Sequence, residues 1–258
     1  MIEEITTVEA EKPEVKFKIL DNSKRAKNAM IILWLLMGLT IIAAFSDYAE
    51  LLLLEQIQEE IYVDEITIDM NDFRQMVIGI LQFILHITSA IVFLYWFRRV
   101  YGNLKRLNIN TQFGETMAVW AWIIPILNLF RPLQIMNEIW DKTQNSIKKL
   151  NPNYLIVNGT VVIGIWWGLH IINNYVGRYA MKSAFKEDTI EQLIISTKAY
   201  MISDLLEIPE ALLIIFIISR ISKMETKLAT EIKELGGVVL SNKHQLTNYS
   251  KLNNQNSQ

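Results

Sequence analysis

Three acidic residues within one apolar stretch are the residues of this chain best suited to chemistry. Asp204, Glu207 and Glu210 follow one another at intervals of three, so a helix places them along one slowly rotating face. Pro209 lies between the last two and removes a backbone hydrogen bond there. A carboxylate deep in a membrane costs about 2.5–3.5 kcal/mol and usually faces a bundle interior or water. The spacing therefore indicates a candidate path for protons or cations.

His86 is a further candidate member of this path. At about 1.5 Å of helix rise per residue, His86 and Glu210 both lie about 15 Å from the outer edge of their apolar stretches. A structural alternative stays open: the acids hydrogen-bond to His86, Asn173 or Asn174 and hold helices together, or the first two lie among lipid headgroups. Only Glu210 is deep on either placement.

The elements that carry these residues are four apolar stretches in a chain of 258 residues that is 51% hydrophobic. They predict membrane-spanning helices at about 29–45, 76–97, 155–172 and 199–219. The first stretch follows 28 polar residues, which argues against a cleaved leader. Gly164 and Gly168 in the third stretch form a Gly-x-x-x-Gly pair, which predicts close helix packing within the bundle or in a dimer.

The distribution of lysine and arginine predicts the orientation, because basic loops are retained in the cytoplasm. Residues 46–73 hold nine acids and no base, whereas residues 98–154 hold eight bases and three acids and residues 220–258 hold six and three. The segment 46–73 is therefore expected outside and both termini in the cytoplasm.

One further apolar segment is too short to span a membrane. Residues 117–130 are interrupted by Pro125 and Asn128 and reach only about 21 Å as a helix, against about 30 Å of hydrocarbon. Bases flank both ends, so the sequence predicts a re-entrant or interfacial hairpin over 115–150 on the cytoplasmic side. Pro125, Asn128 and Pro132 define its turn, in which the Asn128 side chain is expected to bond freed backbone groups.

Arg131, at the exit of this turn, is a candidate contact for an anionic lipid headgroup, and so are Arg98 and Arg99 after the second span. The same bases are also explained without a lipid site, because basic residues beside a span set its orientation in the membrane. Five tryptophans near the ends of the apolar stretches fit interfacial anchoring, namely Trp120, Trp122, Trp140, Trp166 and Trp167.

The hairpin contains the run Trp122-Ile-Ile-Pro125-Ile-Leu-Asn128-Leu-Phe-Arg131-Pro132, followed by Met136, Glu138 and Trp140. Before it stands Trp96-Phe-Arg98-Arg99-Val-Tyr-Gly-Asn103-Leu. Together these stretches resemble the signature of the bacterial membrane proteins grouped as domain of unknown function 4328, over roughly Met76 to Lys223. The resemblance implies a multi-pass bacterial membrane protein and supplies no reaction. We expect the protein in the bacterial inner membrane.

Several functional classes lack support in the sequence. The chain has no cysteine, and none of the common enzyme motifs is present. Its three histidines, His86, His170 and His244, are too far apart to form a helical ligand pair. A net charge of −2 gives no basic field for nucleic acid. We therefore expect no catalytic site, cofactor or metal.

The predicted fold is all-α: an integral membrane bundle of four transmembrane helices plus the cytoplasmic-side hairpin. Residues 1–28 form a cytoplasmic segment, 29–223 the membrane domain, and 224–258 a polar cytoplasmic tail whose end, 241–258, is disordered. The leading hypothesis is a non-enzymatic membrane component that organises lipid, including anionic lipid, or protein partners through the hairpin. The alternative is a small proton- or cation-coupled transporter that uses Asp204, Glu207, Glu210 and His86.

Overall fold

The computed structural model describes residues 18–184, 189–235 and 237–240. The described chain is helical except for two three-residue strands and the connections, which confirms the all-α prediction. In chain order the elements are β1 (Lys18–Leu20), α1 (Ser23–Gln58), α2 (Glu65–Arg106), α3 (Met117–Ile123), α4 (Pro125–Asn128), α5 (Arg131–Leu150), α6 (Thr160–Ala184), α7 (Ile190–Glu234) and β2 (Val238–Leu240).

Helices α1, α2, α6 and α7 form the bundle, and α7 packs along both α1 and α6. Helices α1 and α2 are antiparallel and joined by residues 59–64, where Asp64 caps α2 by accepting a hydrogen bond from Thr67 N (2.8 Å). We call this end of the bundle the loop end. The opposite end, where β1 pairs in parallel with β2, is the strand end.

Helices α1 and α2 are each long and apolar enough to cross a membrane. The apolar side chains of α2 are largely exposed, with Phe83 66% and Ile84 53% accessible. An exposed apolar helix face of this kind needs a lipid or protein neighbour. The structure is therefore compatible with a membrane protein.

The core lies toward the strand end, where the apolar face of α5 packs against α2 and α7. Its fully buried side chains include Trp96, Phe97, Tyr101, Ile135, Met136, Ile139, Ile163, Ile217 and Ile218. Trp140, Trp166 and Trp167 are also buried, so the interpretation of these three as an interfacial belt is wrong. Bulky aromatic rings near an apolar boundary serve a core as well as a headgroup layer, and sequence alone does not separate the two uses.

Helix α6 begins at Thr160, five residues after the start of the predicted third span at 155. The preceding backbone is tied to α5 instead: Val157 O accepts from Trp140 Nε1 and Gln144 Nε2, both at 2.9 Å, and Val157 N donates to Gln144 Oε1 at 2.7 Å. A Cβ at Gly159 would overlap the Trp140 indole, so only glycine permits this close approach.

Helix α7 continues as one element through Pro209 and runs well beyond the predicted span end at 219. Met224, Leu228 and Ile232 are buried along its last turns, so residues 224–234 belong to the packed helix and are not a polar tail. These apolar residues continue the three- and four-residue spacing of the predicted span, but charged residues now stand between them, so the span was predicted to end earlier. The predicted disordered segment 241–258 lies outside the described residues.

Candidate functional site

Three acids of α7, Asp204, Glu207 and Glu210, each bond to a side chain on another helix, and we call them the acid ladder. Gln82 Nε2 on α2 donates to both Asp204 carboxylate oxygens, at 3.1 and 3.3 Å. Glu207 is buried; its Oε2 accepts from Thr40 Oγ1 on α1 at 3.0 Å, and its Oε1 lies 2.8 Å from His86 Nε2. The ladder therefore links α7 to both α1 and α2.

Glu210 bonds to α6 instead of α2. Its Oε1 lies 2.8 Å from His170 Nδ1, and its Oε2 accepts from Asn173 Nδ2 at 3.3 Å. The sequence placed His86 and Glu210 at about the same depth, but His86 meets Glu207, which lies one turn of α7 nearer the loop end. The ends of apolar stretches do not fix the register of packed helices to within one turn, which accounts for the difference.

Apolar side chains surround the acid ladder on the side that faces the strand end. His170 contacts the rings of Trp122, Trp166 and Trp167, with centroids 5.7, 6.1 and 5.1 Å away. Beyond Glu210, α7 buries Ile214, Ile215, Ile217, Ile218 and Ile221. The geometry is that of a set of hydrogen-bonded links between helices, followed by an apolar layer.

A second polar cluster lies at the strand end, formed by Asn22, Asn103 and Glu225, and we call it the terminal cluster. Glu225 Oε2 accepts from Asn22 Nδ2 at 3.0 Å, and Oε1 accepts from Asn103 Nδ2 at 2.9 Å. All three residues are buried. Burial raises the pKa of Glu225, which lies beyond the predicted span, to about 7.

The terminal cluster was not predicted from the sequence, although one signal was present. Glu225 lies seven residues after Ile218 and seven before Ile232, so it stands on the buried stripe of α7. An acid on an apolar stripe requires a buried partner. Its partners could not be found, because Asn22 is 203 residues away in sequence.

Glu138 of α5, which the sequence offered only as part of the family signature, is buried. It accepts from Tyr101 Oη at 2.6 Å and Gln112 N at 2.7 Å, and pairs with Lys142 at 2.5 Å. Burial and this carboxylate raise the pKa of Tyr101. The contacts tie α5 to α2 and to the connection before α3.

The hydrogen bonds that hold the hairpin turn are not those expected from the Asn128 side chain. Asn128 N donates to Ile124 O at 2.8 Å, but its buried side-chain oxygen accepts no hydrogen bond from any described residue. Instead, Trp167 Nε1 of α6 donates to Leu129 O at 3.0 Å. The freed carbonyl is thus satisfied by a neighbouring helix, which is what a non-helical turn in an apolar environment requires.

The three candidate headgroup contacts have different environments. The Arg131 guanidinium stacks on Phe113 (4.2 Å to the ring centroid), and its Nη1 donates to Gln134 Oε1 at 3.2 Å. Arg98 pairs with Glu115 at 3.4 Å. Arg99 is only 8% exposed, which makes it unsuitable as a headgroup contact; the bundle covers it because it stands on the core-facing side of α2.

The hairpin presents an exposed apolar surface, which we call the hairpin surface. Ile126 is 72% exposed and Trp120 53%, and the remaining members are Ile123, Ile124, Leu129 and Phe130. A second open face carries Gly164 and Gly168 on α6, where an added Cβ would meet nothing within 4 Å in the described residues. Within the described residues no helix packs against this glycine pair, because α7 lies against a different face of α6; a role of the pair in a dimer stays a prediction.

These features define an all-helical bundle with at least two apolar helices of membrane-spanning length and a broken helical hairpin packed at its strand end. The family model described as Domain of unknown function (DUF4328) matches residues 59–223, which is more than half of the chain. The chain belongs to this family. No curated protein and no solved structure matches it.

Proposed function

We propose that the chain is a non-enzymatic, multi-pass component of the bacterial inner membrane, whose hairpin engages lipid of the cytoplasmic leaflet. In this proposal α1, α2, α6 and α7 each cross the bilayer and both termini are cytoplasmic. The distribution of bases supports the orientation, since the strand end carries the base-rich segments and the loop end carries the acid-rich residues 46–73.

The observation that carries the proposal is the hairpin surface. Its six apolar side chains stand together beside a turn whose backbone is bonded inward, to Trp167. Water would have to solvate this apolar area, whereas acyl chains or a partner would cover it favourably. Arg131 follows directly, and its guanidinium keeps a charge at the boundary of the surface.

A second candidate function, proton or cation coupling, rests on the two histidine–carboxylate pairs, Glu207 with His86 and Glu210 with His170. Such pairs inside a membrane domain are typical of ion pathways. The buried isoleucines beyond Glu210 favour the structural role, because they place an apolar layer between the acid ladder and the strand end. Proton flux in proteoliposomes that stops in Glu210→Gln would favour transport.

Site-specific photocrosslinking in cells tests the lead proposal. A benzophenone amino acid replaces Ile126 on the hairpin surface or, as the control, Lys148 on the exposed face of α5. We expect a phospholipid adduct at position 126, identified by mass, and none at position 148. A protein adduct at position 126 would mean that the hairpin surface binds a protein partner and not lipid. The absence of any adduct at position 126 would contradict the proposal.

A further inference from the structure

A cavity of about 480 Å³ lies between α5, the start of α6 and α7. Its apolar wall is formed by Trp140, Tyr154, Val162, Phe216 and Met224. The volume is in the range of small-molecule sites, which are typically lined by apolar and aromatic side chains with a few polar groups. None of the predicted headgroup contacts lines it.

Three bases stand along one side of this cavity. Arg220, Lys223 and Lys227 recur at three- and four-residue spacing on α7, so all three side chains lie on one face. Arg220 lies over the Phe216 ring at 5.1 Å and Lys227 over the Tyr154 ring at 5.0 Å. Within the described part of the chain, none of the three forms an ion pair with an acid.

The position of the cavity along α7 gives the chemistry of its occupant. Phe216 and Val162 fall within the predicted spans 199–219 and 155–172, whereas the three bases follow directly after residue 219. The cavity therefore crosses from apolar to charged surroundings within about three turns of helix. An occupant must carry an anionic group at one end and an apolar group at the other.

We propose that this cavity binds one anionic phospholipid of the cytoplasmic leaflet, with its phosphate among Arg220, Lys223 and Lys227 and an acyl chain against Val162 and Phe216. The inference rests on the proposed function for its orientation, but not on the hairpin surface. Its residues are separate from Ile126, so a failed crosslink at the hairpin leaves the cavity site standing, and the reverse also holds.

Native mass spectrometry of the full chain in mild detergent tests the site with dimyristoyl phosphatidylglycerol and dimyristoyl phosphatidylcholine. The test variant combines Arg220→Gln, Lys223→Gln and Lys227→Gln. The control, with the same charge change, combines Lys105→Gln, Lys148→Gln and Lys149→Gln at bases that do not line the cavity. We expect one tightly held phosphatidylglycerol that is weakened at least about tenfold in the test variant alone. Equal loss in both variants would overturn the proposal.

A second variant keeps all three charges and changes only the apolar wall. Val162→Phe fills the part of the cavity assigned to the acyl chain, so it should weaken phosphatidylglycerol binding. Inorganic phosphate should compete poorly with the lipid in the unmodified chain. If Val162→Phe binds phosphatidylglycerol unchanged, or if inorganic phosphate displaces the lipid at equal concentration, the phospholipid assignment is wrong.

Discussion

The side-chain amide of Asn103 pairs with the backbone of Leu20 in both directions. Asn103 Oδ1 accepts from Leu20 N at 3.2 Å, and Asn103 Nδ2 donates to Leu20 O at 2.8 Å. The amide of α2 thus takes the place of a neighbouring strand for β1, whose other edge pairs with β2. Through Glu225 the same amide also reaches α7, so one side chain joins the segment before α1 to two helices.

Asn103→Leu should therefore destabilise the protein by about 2–3 kcal/mol, because it leaves the Leu20 backbone and the Glu225 carboxylate buried without this partner. Thermal unfolding in detergent measures the effect. Asn153→Leu, at an exposed asparagine, is the matched control and should leave the melting temperature nearly unchanged. Equal melting temperatures for the two variants would contradict the role of Asn103.

The raised pKa of Glu225 predicts a specific pH dependence of stability. The folded chain holds this proton up to about pH 7, whereas an unfolded glutamate loses it near 4.5. Between these values the folded state binds more protons, so the free energy of unfolding falls as pH rises from 4.5 to 7 and levels off above. Glu225→Gln should remove this component, measured as the difference between the two unfolding curves. Identical pH dependence in both proteins would show that Glu225 does not titrate there.

The pairing of Glu210 with His170 predicts a coupling energy. Glu210→Leu should cost about 1–3 kcal/mol, because it leaves His170 and Asn173 without their carboxylate partner. Glu210→Leu combined with His170→Leu should cost less than the sum of the single changes, by about 0.5–3 kcal/mol in a double-mutant cycle. Strictly additive effects on unfolding would mean that the two side chains do not stabilise each other.

The hairpin turn gives a paired prediction. Trp167→Phe removes the donor to Leu129 O and should lower stability by about 1–3 kcal/mol. Asn128→Leu should be tolerated, because the Asn128 side-chain oxygen accepts no hydrogen bond from the described residues. Thermal unfolding of both variants checks the order of the effects. A larger loss for Asn128→Leu than for Trp167→Phe would restore the buried-asparagine model of the turn.

The sequence predicted the structure correctly where the length of an apolar run or the position of a proline decides it. The uncharged, mainly apolar run at 76–97 predicted the long helix α2, and the prolines at 125 and 132 predicted the break between the hairpin helices. In each case the signal lies within one element and needs no knowledge of its neighbours.

Relationships between elements could not be predicted in the same way. The partner of Glu207 depends on the register of α2 against α7, and the terminal cluster depends on where the first and last elements meet. Neither has a local signature. The burial of Trp166 and Trp167 was also missed, because an aromatic residue satisfies a headgroup layer and a packed core equally well.

The central claim is that the hairpin surface lies within the bilayer, and the depth of a spin label tests it most directly. The chain has no cysteine, so Ile126→Cys and the control Lys148→Cys each provide one labelling site in the full protein. Power saturation after reconstitution in phosphatidylglycerol-containing bilayers compares access to oxygen with access to a water-soluble nickel chelate. The account predicts that the label at 126 is reached by oxygen and protected from the chelate, while the label at 148 shows the reverse. Greater access of the chelate than of oxygen at position 126 would contradict it.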